Sequence, residues 1–413
     1  MKKPELLAPA GSLAKLKYAI MYGADAVYIG GEAFSLRVAA KNFSIEEIRE
    51  GIDFAHKRGA KVYITANIIP HNSDLDKFPG FVKEVAKLGA DAIIVSDLGA
   101  FSIVREVAPE LDVHISTQAN NTNYASANMW HSMGAKRVIL ARDLSFGEIA
   151  EIREKTKEDL EIECFVHGAM CVSYSGRCLL SNYLTHRDSN RGACSHPCRW
   201  KYYLMEEKRP GEYMPVFENE RGTFIFNSKD LCMIEHIPEL IDAGVSSFKI
   251  ECRVKNELYV ATVVKAYRDA IDAYYDNKEN YKVSEDILTE LTKVSHREYT
   301  NGFYFGKPTD KHQLYTSNTY IQEYTIAAVV KGESDGMTIL EQRNKFEKGD
   351  VLEVLSPGGH NFSFTVEDMY NDKDELIESA PHAQMEVKLK LPERVKDYAI
   401  LRMLNKNYRP EDM

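Results

Sequence analysis

Five of the seven cysteines lie between positions 171 and 232, and their thiols are the side chains best suited to chemistry in this chain. They are Cys171, Cys178, Cys194, Cys198 and Cys232. In a reducing compartment, gathered thiols favour a metal or redox role over disulfides. The spacing C-x6-C-x15-C-x3-C contains neither the C-x2-C pairs of zinc ribbons nor a ferredoxin run. It therefore predicts a four-thiolate site without naming the metal.

Three of these cysteines, Cys171, Cys178 and Cys194, are the expected ligands of that site. Two candidates remain for the fourth position. Chelate geometry favours Cys198, which follows Cys194 after three residues, whereas Cys232 could reach in from a later segment.

A second group of polar side chains follows apolar segments that have the character of buried strands. Arg142, Lys249 and Arg253 could bind an anionic small molecule, because guanidinium pairs with carboxylate through two hydrogen bonds and lysine adds a point charge. The alternative is internal pairing with Asp143 and Glu251. The predicted substrate-binding residues are Asn67, Gln118, Arg142, Lys249, Glu251 and Arg253.

His167 directly precedes the cysteine segment and is the candidate catalytic residue, as a proton donor; a structural histidine is the alternative. Cys171 with His167 could also form a nucleophile and base, as in a peptidase. Four further thiols nearby make metal ligation the better account, and the chain has no GxSxG or HExxH motif.

The elements that must position these residues alternate through the first two-thirds of the chain. A weak repeat, seen in GADAVYIGG, GADAIIVSD, GAKRVILAR and GVSSFKIEC, starts each unit with a glycine. Eight short apolar segments, from ELLAPA to FKIEC, are typical of strands buried on both faces of a parallel sheet. Their alternation with helical patterns predicts a (β/α)8 TIM-type barrel, whose active site forms at the carboxyl ends of the strands. A doubly wound open sheet is the alternative.

Capping residues mark several of the intervening helices. Ser44 followed by Glu47 matches a capping box, and Ser145 caps FGEIAEIREKTK. Asp74 is expected to start the helix across FPGFVKEVAKLG. KYYLMEE, YMPVF and TFIFN are predicted to form a β excursion between strands seven and eight.

The composition changes after residue 281. We predict a barrel over 1–281 with a cysteine-rich insertion at 171–232, a connector over 282–320, and a small antiparallel β-barrel over 321–413. The last assignment depends on short alternating strands such as TIAAVVKG, MTILEQR and AILRML, separated by turn residues.

A net charge of −10 argues against indiscriminate binding of nucleic acids but allows a local basic patch. Basic residues gather near the cysteines and in the tail: His186, Arg187, Arg191, Arg199, Lys201, Arg402, Lys406 and Arg409. No apolar run approaches bilayer length, and the first residues lack the apolar region of a signal peptide. We expect a cytoplasmic protein with no membrane partner; the oligomeric state is not indicated.

The motifs ELLAPAG, ADAVYIGG, SDLG, STQ, FVHGAMC-x6-C, RG-x-C-x3-CRW, NSKDLC and KIE-x-RVK occur in this order. Through these motifs the chain resembles the collagenase-like peptidase family of unassigned mechanism. The resemblance covers nearly the whole chain. The resemblance is greatest to its branch of prephenate-dependent tRNA uridine hydroxylases. It implies a [4Fe–4S] cluster on the cysteines, prephenate as co-substrate and tRNA as partner. Cys252 departs from the glycine common at that position in the family.

The leading hypothesis is therefore a tRNA hydroxylase that converts wobble uridine to 5-hydroxyuridine, with prephenate held by Arg142, Lys249 and Arg253. One alternative is a peptidase, and another is a hydroxylase of ribosomal RNA or a quinone. A third is a scaffold whose metal is structural zinc. Zinc could also occupy the site in an aerobically prepared sample.

Overall fold

The computed structural model describes residues 3–31, 34–35, 42–170, 178–187, 189, 192–200, 204–205, 213–214, 218–219, 222–223, 228–306 and 320–408. Among these residues, no helix combines the length and the apolar character needed to cross a lipid bilayer.

Eight parallel strands form a closed barrel, as predicted. They are β1 (Glu5–Pro9), β2 (Ala26–Gly30), β3 (Lys61–Ala66), β4 (Ala92–Val95), β5 (Asp112–Ile115), β6 (Arg137–Ile139), β7 (Glu161–Gly168) and β13 (Ser247–Ile250). Each strand pairs with the next, and β13 pairs with both β7 and β1. This closure excludes the open doubly wound sheet.

The helices surround the barrel because each strand carries apolar residues on its outer face. In β2 all five residues are buried, and Val27 and Ile29 belong to the central apolar core. The helices are α1 (Leu13–Met21), α2 (Ile45–His56), α3 (Asn72–Leu75), α4 (Phe78–Lys87), α5 (Leu98–Val107), α6 (Tyr124–Ser132), α7 (Phe146–Glu154), α8 (Leu180–Thr185), α9 (Ile237–Asp242), α10 (Glu257–Asp276) and α11 (Glu285–Thr292).

Two of the three predicted helix starts are confirmed. Ser44 and Ser145 each accept a hydrogen bond from the backbone three residues later, and both form complete capping boxes. The prediction for Asp74 is wrong. Its carboxylate accepts from the His71 backbone N–H inside the short α3, and α4 begins later, with a proline in its first turn.

A short strand that the sequence did not suggest extends the barrel sheet beside β7. This strand, β12 (Asp230–Cys232), runs antiparallel to the end of β7 and parallel to β14 (Tyr299–Thr300). In the described part of the excursion, β8 (Leu204–Met205) pairs with β9 (Tyr213–Met214), and β10 (Glu218–Asn219) pairs with β11 (Gly222–Thr223). The rest of that predicted β excursion, including 224–227, lies outside the described residues.

The C-terminal module is antiparallel, as predicted, and has the form of a half-barrel. Its strands are β15 (Tyr324–Ser334), β16 (Met337–Gln342), β17 (Phe346–Glu347), β18 (Val351–Leu355), β19 (Phe362–Thr365), β20 (Met369–Tyr370), β21 (Leu376–Ile377), β22 (Ser379–Ala380), β23 (Glu386–Leu389) and β24 (Ile400–Leu404). Eight of them form one sheet in the order β19-β18-β24-β15-β16-β23-β20-β21, which covers a separate apolar core.

Ion pairs fix this module to the barrel. Arg402 of β24 is fully buried and donates to Glu290 of α11 at 2.7 Å and to Glu353 of β18 at 2.8 Å. Arg402 therefore does not belong to a basic surface patch, because its charge is neutralised inside the protein. Lys406 lies 2.9 Å from Asp350, and Arg409 lies outside the described residues.

Candidate functional site

Two buried ion pairs lie in the barrel, one at its carboxyl-terminal mouth and one deeper, between β7 and β13. Arg142, after β6, donates to Glu251, after β13, with Nη2 and Oε2 3.3 Å apart. Arg142 also donates to the Ala169 carbonyl. Lys249 Nζ lies 2.6 Å from Glu163 Oε1, and both side chains are almost wholly buried. Internal pairing was the alternative for these cations, but the partner of Lys249 is Glu163, which the sequence did not single out.

Aromatic rings complete the environment of the two cations. The Arg142 guanidinium carbon lies 3.9 Å from the centroid of the Phe165 ring. Lys249 Nζ lies 4.5 Å from the Tyr28 centroid and 5.5 Å from that of Phe165. Cation–π attraction strengthens where water is excluded. The lining thus combines positive charge with apolar ring faces, which suits a small anion that carries a ring.

Arg253 reaches into the same mouth through space that a glycine leaves open. Its Nη1 donates to Thr65 Oγ1 at 3.2 Å, and its side chain is buried. A Cβ atom on Gly30 would lie 2.1 Å from that Nη1, so only glycine fits there. The neighbouring Cys252 has a φ of +102°, which is the left-handed region that favours glycine. Here a cysteine holds a conformation in which glycine would be unstrained.

Asn67 and Gln118 meet at Ser116 on another part of the rim. Asn67 Nδ2 donates to Ser116 Oγ at 3.2 Å, and the Gln118 backbone N–H donates to the same oxygen at 3.3 Å. The buried Asn67 Oδ1 has no hydrogen-bond partner among the described residues. Such an acceptor is typical of a site that completes its hydrogen bonds with a ligand or water.

His167 does not join the mouth. Lys249 pairs with Phe165 and Ile250 pairs with His167, so Val166 is an extra residue that forms a bulge in β7. A bulge turns the following side chain to the opposite face of the sheet. The His167 ring accordingly contacts tyrosines of the outer layer, at centroid distances of 5.3–6.0 Å; they are Tyr259, Tyr267 and Tyr299.

The surroundings of His167 keep its imidazole neutral. Burial, aided by His296 and Lys255, lowers its pKa to about 3. Neither ring nitrogen has a hydrogen-bond partner among the described residues. A donor with this pKa carries no transferable proton at neutral pH, and the ring lies on the wrong side of β7 for a ligand in the mouth. The geometry therefore favours the structural alternative for His167.

Asp143 is a titratable group at the mouth that could exchange protons. It directly follows Arg142 and is partly buried. Burial raises the pKa of its carboxyl group, and the positive charge of Arg142 opposes that rise. A carboxyl group with a raised pKa in a pocket is a candidate acid or base.

The five predicted metal ligands are described only in part, because Cys171 lies outside the described residues. Cys232 is the Cα partner of His167 at the end of β7, and its Sγ lies 4.0 Å from the Tyr267 hydroxyl. Burial raises the pKa of the Cys232 thiol to about 11. Cys194 Sγ accepts from the His196 backbone N–H at 3.4 Å. Cys178 and Cys198 are partly buried.

No three His, Cys, Asp or Glu side chains in the described part of the chain form a group that could hold a metal ion. The donor chemistry fits a cluster, because thiolates are the soft ligands that iron–sulfur centres take. A site built from Cys171, Cys178 and Cys194 with Cys198 or Cys232 therefore stays a prediction.

Comparison with known proteins identifies the family. Residues 11–314 match the description "Peptidase family U32", and residues 322–402 match its C-terminal domain. The chain belongs to peptidase family U32.

Three relatives within U32 cover most of the chain. The chain is 43% identical to "tRNA hydroxylation protein P1" of Bacillus subtilis (strain 168), over 95% of this chain and 93% of that protein. It is 41% identical to "tRNA hydroxylation protein P" of Escherichia coli (strain K12), over 97% of each. It is 36% identical to "23S rRNA 5-hydroxycytidine C2501 synthase" of Escherichia coli (strain K12), over 85% of this chain and 52% of that protein.

Proposed function

We propose that this chain is an RNA-modifying hydroxylase whose substrate is tRNA. The observation that carries the proposal is similarity over 93% and 97% of the lengths of two tRNA hydroxylation proteins. The similarity to an rRNA hydroxycytidine synthase supports RNA hydroxylation more broadly, because that protein is named for a related product on another RNA.

The more specific proposal is 5-hydroxylation of wobble uridine with prephenate as co-substrate. Prephenate is the co-substrate that the family resemblance implies. Its two carboxylates match Arg142, Lys249 and Arg253, and its ring matches Phe165. The uracil would leave the anticodon stack to react, as base-modifying enzymes require.

A carboxylate ligand would alter the ion pairs of the mouth. Arg142 now donates to Glu251 at 3.3 Å, which is long for a charge-assisted hydrogen bond. An incoming carboxylate would therefore share the Arg142 guanidinium with Glu251, because a buried carboxylate is costly to leave without its cation. Lys249, at 2.6 Å from Glu163, would keep its partner and act as a fixed positive charge beneath the ligand.

The proposed [4Fe–4S] cluster would be held by Cys171, Cys178 and Cys194 with Cys198 or Cys232. When bound, such a cluster supplies one-electron transfer. The position of Cys232 supports this assignment. Cys232 lies in β12, which flanks the end of β7, and β7 ends three residues before Cys171. Its protonated thiol would have to lose a proton on ligation, which makes cluster assembly pH-dependent.

Complementation tests the proposed function. Expression of this chain in a bacterial host that lacks its own U32 relatives should produce 5-hydroxyuridine at the wobble position, measured by mass spectrometry of digested tRNA. Arg253→Ala should abolish the product, and Arg394→Ala, an exposed arginine of the C-terminal module, should not. The same host unable to make prephenate should give none. Unchanged tRNA on expression of the wild-type chain would contradict the proposal.

Metal analysis tests the cluster. Protein purified without oxygen should contain iron and sulfide, and Cys171→Ala should lose both. Of Cys198→Ala and Cys232→Ala, the variant that loses iron identifies the fourth ligand, and Cys164→Ala is the control. Zinc without iron in the anaerobic wild-type protein would instead support the scaffold with a structural metal.

A peptidase remains the second candidate because the family is described as one. A cysteine nucleophile needs a thiolate and a base bonded to it. The predicted nucleophile, Cys171, lies outside the described residues. Its predicted base, His167, has a pKa lowered to about 3 by burial, which is too low for a general base at neutral pH. Peptide cleavage with turnover by protein freed of metal would favour this candidate.

A further inference from the structure

The cysteine-rich segment presents large apolar side chains to solvent. Leu179 is 76% exposed, Tyr183 is 81% exposed, and Leu184 and Trp200 are 41% and 40% exposed. We call these four residues the aromatic patch. Single exposed apolar side chains are ordinary on a protein surface, but four in one short segment make that segment a candidate binding surface.

Hydrogen bonds hold the patch on a defined framework. Ser181, which is fully buried, accepts from the Ser195 backbone N–H at 3.0 Å. The hydroxyls of Ser181 and Thr185 lie 3.0 and 2.9 Å from that of Ser195. These bonds fix one face of α8 against the turn at Pro197–Arg199, so the opposite face, with Tyr183, must point outward. Leu179 and Tyr183 are four residues apart and share that face.

The charge of this segment is opposite to that of the whole chain. Residues 178–202 carry four Arg and Lys residues against one Asp, in a protein whose net charge is −10. His186 and Arg187 end α8 and are exposed, and Arg187 has no ion pair among the described residues. Exposed aromatic rings together with an excess of basic residues in the same segment are typical of sites for single-stranded nucleic acid.

We infer that the aromatic patch binds the unpaired bases of an RNA loop, with Tyr183 stacking on a base and Arg187 facing the phosphates. The inference rests on the proposed function and adds to it a binding surface outside the barrel mouth. The patch belongs to the loop that leaves β7 at its carboxyl end, the same end at which the mouth opens.

A protein partner is less well matched to this surface. Exposed Tyr, Trp and Arg side chains also occur at protein interfaces, but the relatives that match most of this chain are named for RNA hydroxylation, which favours RNA as the occupant. Anionic membranes also attract basic residues, but a patch that binds membranes through charge alone would bind a looped RNA and a duplex equally. The test therefore compares these two RNAs.

The two tryptophans allow a direct measurement. Trp130 is partly buried against Phe101, with ring centroids 5.5 Å apart, so Trp130→Phe leaves Trp200 as the single tryptophan of an otherwise intact chain. This protein is titrated with an RNA stem-loop of anticodon type and with a duplex of equal length and charge. We expect the stem-loop to quench Trp200 fluorescence and the duplex to leave it unchanged.

Substitutions in the same background locate the stacking residue. Tyr183→Ala should weaken stem-loop binding about tenfold, the effect of losing one stacked base, and Tyr183→Phe should not. Tyr124→Ala is the control, because Tyr124 is another exposed tyrosine, 40% accessible, but lies on α6 and outside the aromatic patch. Equal quenching by both RNAs, or equal affinity of Tyr183→Ala and Tyr183→Phe, would overturn the inference.

This experiment can fail separately from the proposed function. If complementation yields 5-hydroxyuridine but Tyr183→Ala binds the stem-loop as the parent does, only the patch assignment is wrong. If the stem-loop quenches Trp200 selectively but no 5-hydroxyuridine forms, the patch stands and the reaction is wrong. A liposome of anionic lipid that quenches Trp200 as strongly as the stem-loop would also refute the assignment.

Discussion

At the scale of single residues, buried charges dominate the barrel interior. Glu163 is fully buried and touches two cations, Arg137 at 2.9 Å and Lys249 at 2.6 Å. Arg137 also contacts Glu5 and Glu161, each at 2.6 Å. This network extends from the amino-terminal end of the barrel to the mouth, so the charge that supports a ligand is held by residues remote from it.

Glu163→Gln should strongly destabilise the protein. It removes the negative charge between two buried cations, and breaking a buried pair costs about 3–5 kcal/mol. Chemical denaturation measures the loss. The matched control is Glu151→Gln, which breaks an exposed pair with Lys155 and should cost less than about 1 kcal/mol. Equal losses for the two variants would show that the barrel tolerates a buried Lys249 without its carboxylate partner.

The strained backbone at Cys252 predicts a different outcome for two buried cysteines. Cys252→Gly relieves a φ of +102°, which offsets part of the lost side-chain burial, because such strain is worth ~1–3 kcal/mol. Cys164→Gly in β7 relieves no such strain, because Cys164 does not have a positive φ. We therefore expect Cys164→Gly to lower the free energy of unfolding more, by at least about 1 kcal/mol. A smaller loss for Cys164→Gly would contradict this.

Buried His167 makes stability fall in mild acid. Its pKa is about 3 in the folded protein and ordinary in the unfolded chain, so only the unfolded chain gains a proton as the pH falls below about 6.5. The stability it contributes is present at neutral pH and declines down to about pH 3. Between pH 7 and 5 the wild-type protein should lose ~2 kcal/mol more than His167→Phe. Denaturant titrations at both pH values measure the difference, and parallel losses would refute it.

At the scale of elements, the sequence predicted the alternation of strands and helices but not the register in which β7 pairs with β13. The repeats and apolar segments predict eight strands, because burial on both faces leaves a readable apolar run. The same pattern in IECFVHG places Glu163, Phe165 and His167 on one face. The bulge at Val166 moves His167 to the other face, and nothing in the composition of the segment marks that extra residue.

The pairing of β12 with β7 was equally invisible to sequence reasoning. Asp230–Cys232 is a strand of only three residues, and its stability comes from tertiary neighbours rather than from its own propensity. Part of the candidate site was easier to anticipate: Arg142 and Glu251 follow neighbouring parts of the barrel and form an ion pair, because parallel strands end together. The residues that contact this site from within strands were not predicted. They are Glu163, Phe165 and Gly30, and a residue inside an apolar strand is first interpreted as part of the core.

Two cations link the C-terminal module to α11: Arg402 of the module contacts Glu290, and Lys293 at the end of α11 contacts Glu353. Arg402→Met should leave Glu290 and Glu353 without their main cation and loosen the module. We expect faster hydrogen exchange across β18 and β24, measured by mass spectrometry, with the barrel strands unchanged. Arg394→Met, whose side chain is 85% exposed, is the control. Unchanged exchange in the Arg402 variant would show that the module is held without the Arg402 ion pairs.

At the scale of the whole molecule, the barrel and the half-barrel share their packing. Ile326, Val329, Leu355 and Ile400 of the C-terminal module belong to the same apolar core as the barrel strands. The Tyr22 hydroxyl of α1 lies 2.7 Å from the Leu355 carbonyl and 3.0 Å from that of Tyr398. The module is therefore an integral part of the molecule, although after residue 320 the sequence pattern changes from alternating strands and helices to short strands alone.

The strand pairing around β7 has a consequence for biosynthesis. A nascent chain that has left the ribosome as far as Gly168 has seven barrel strands but no partner for the outer edge of the last one. That edge is later divided between β12 and β13, both of which emerge only after the long excursion has been translated. The ring thus stays open while the thiol-bearing segment is made, and the barrel closes only after the cysteines have left the ribosome.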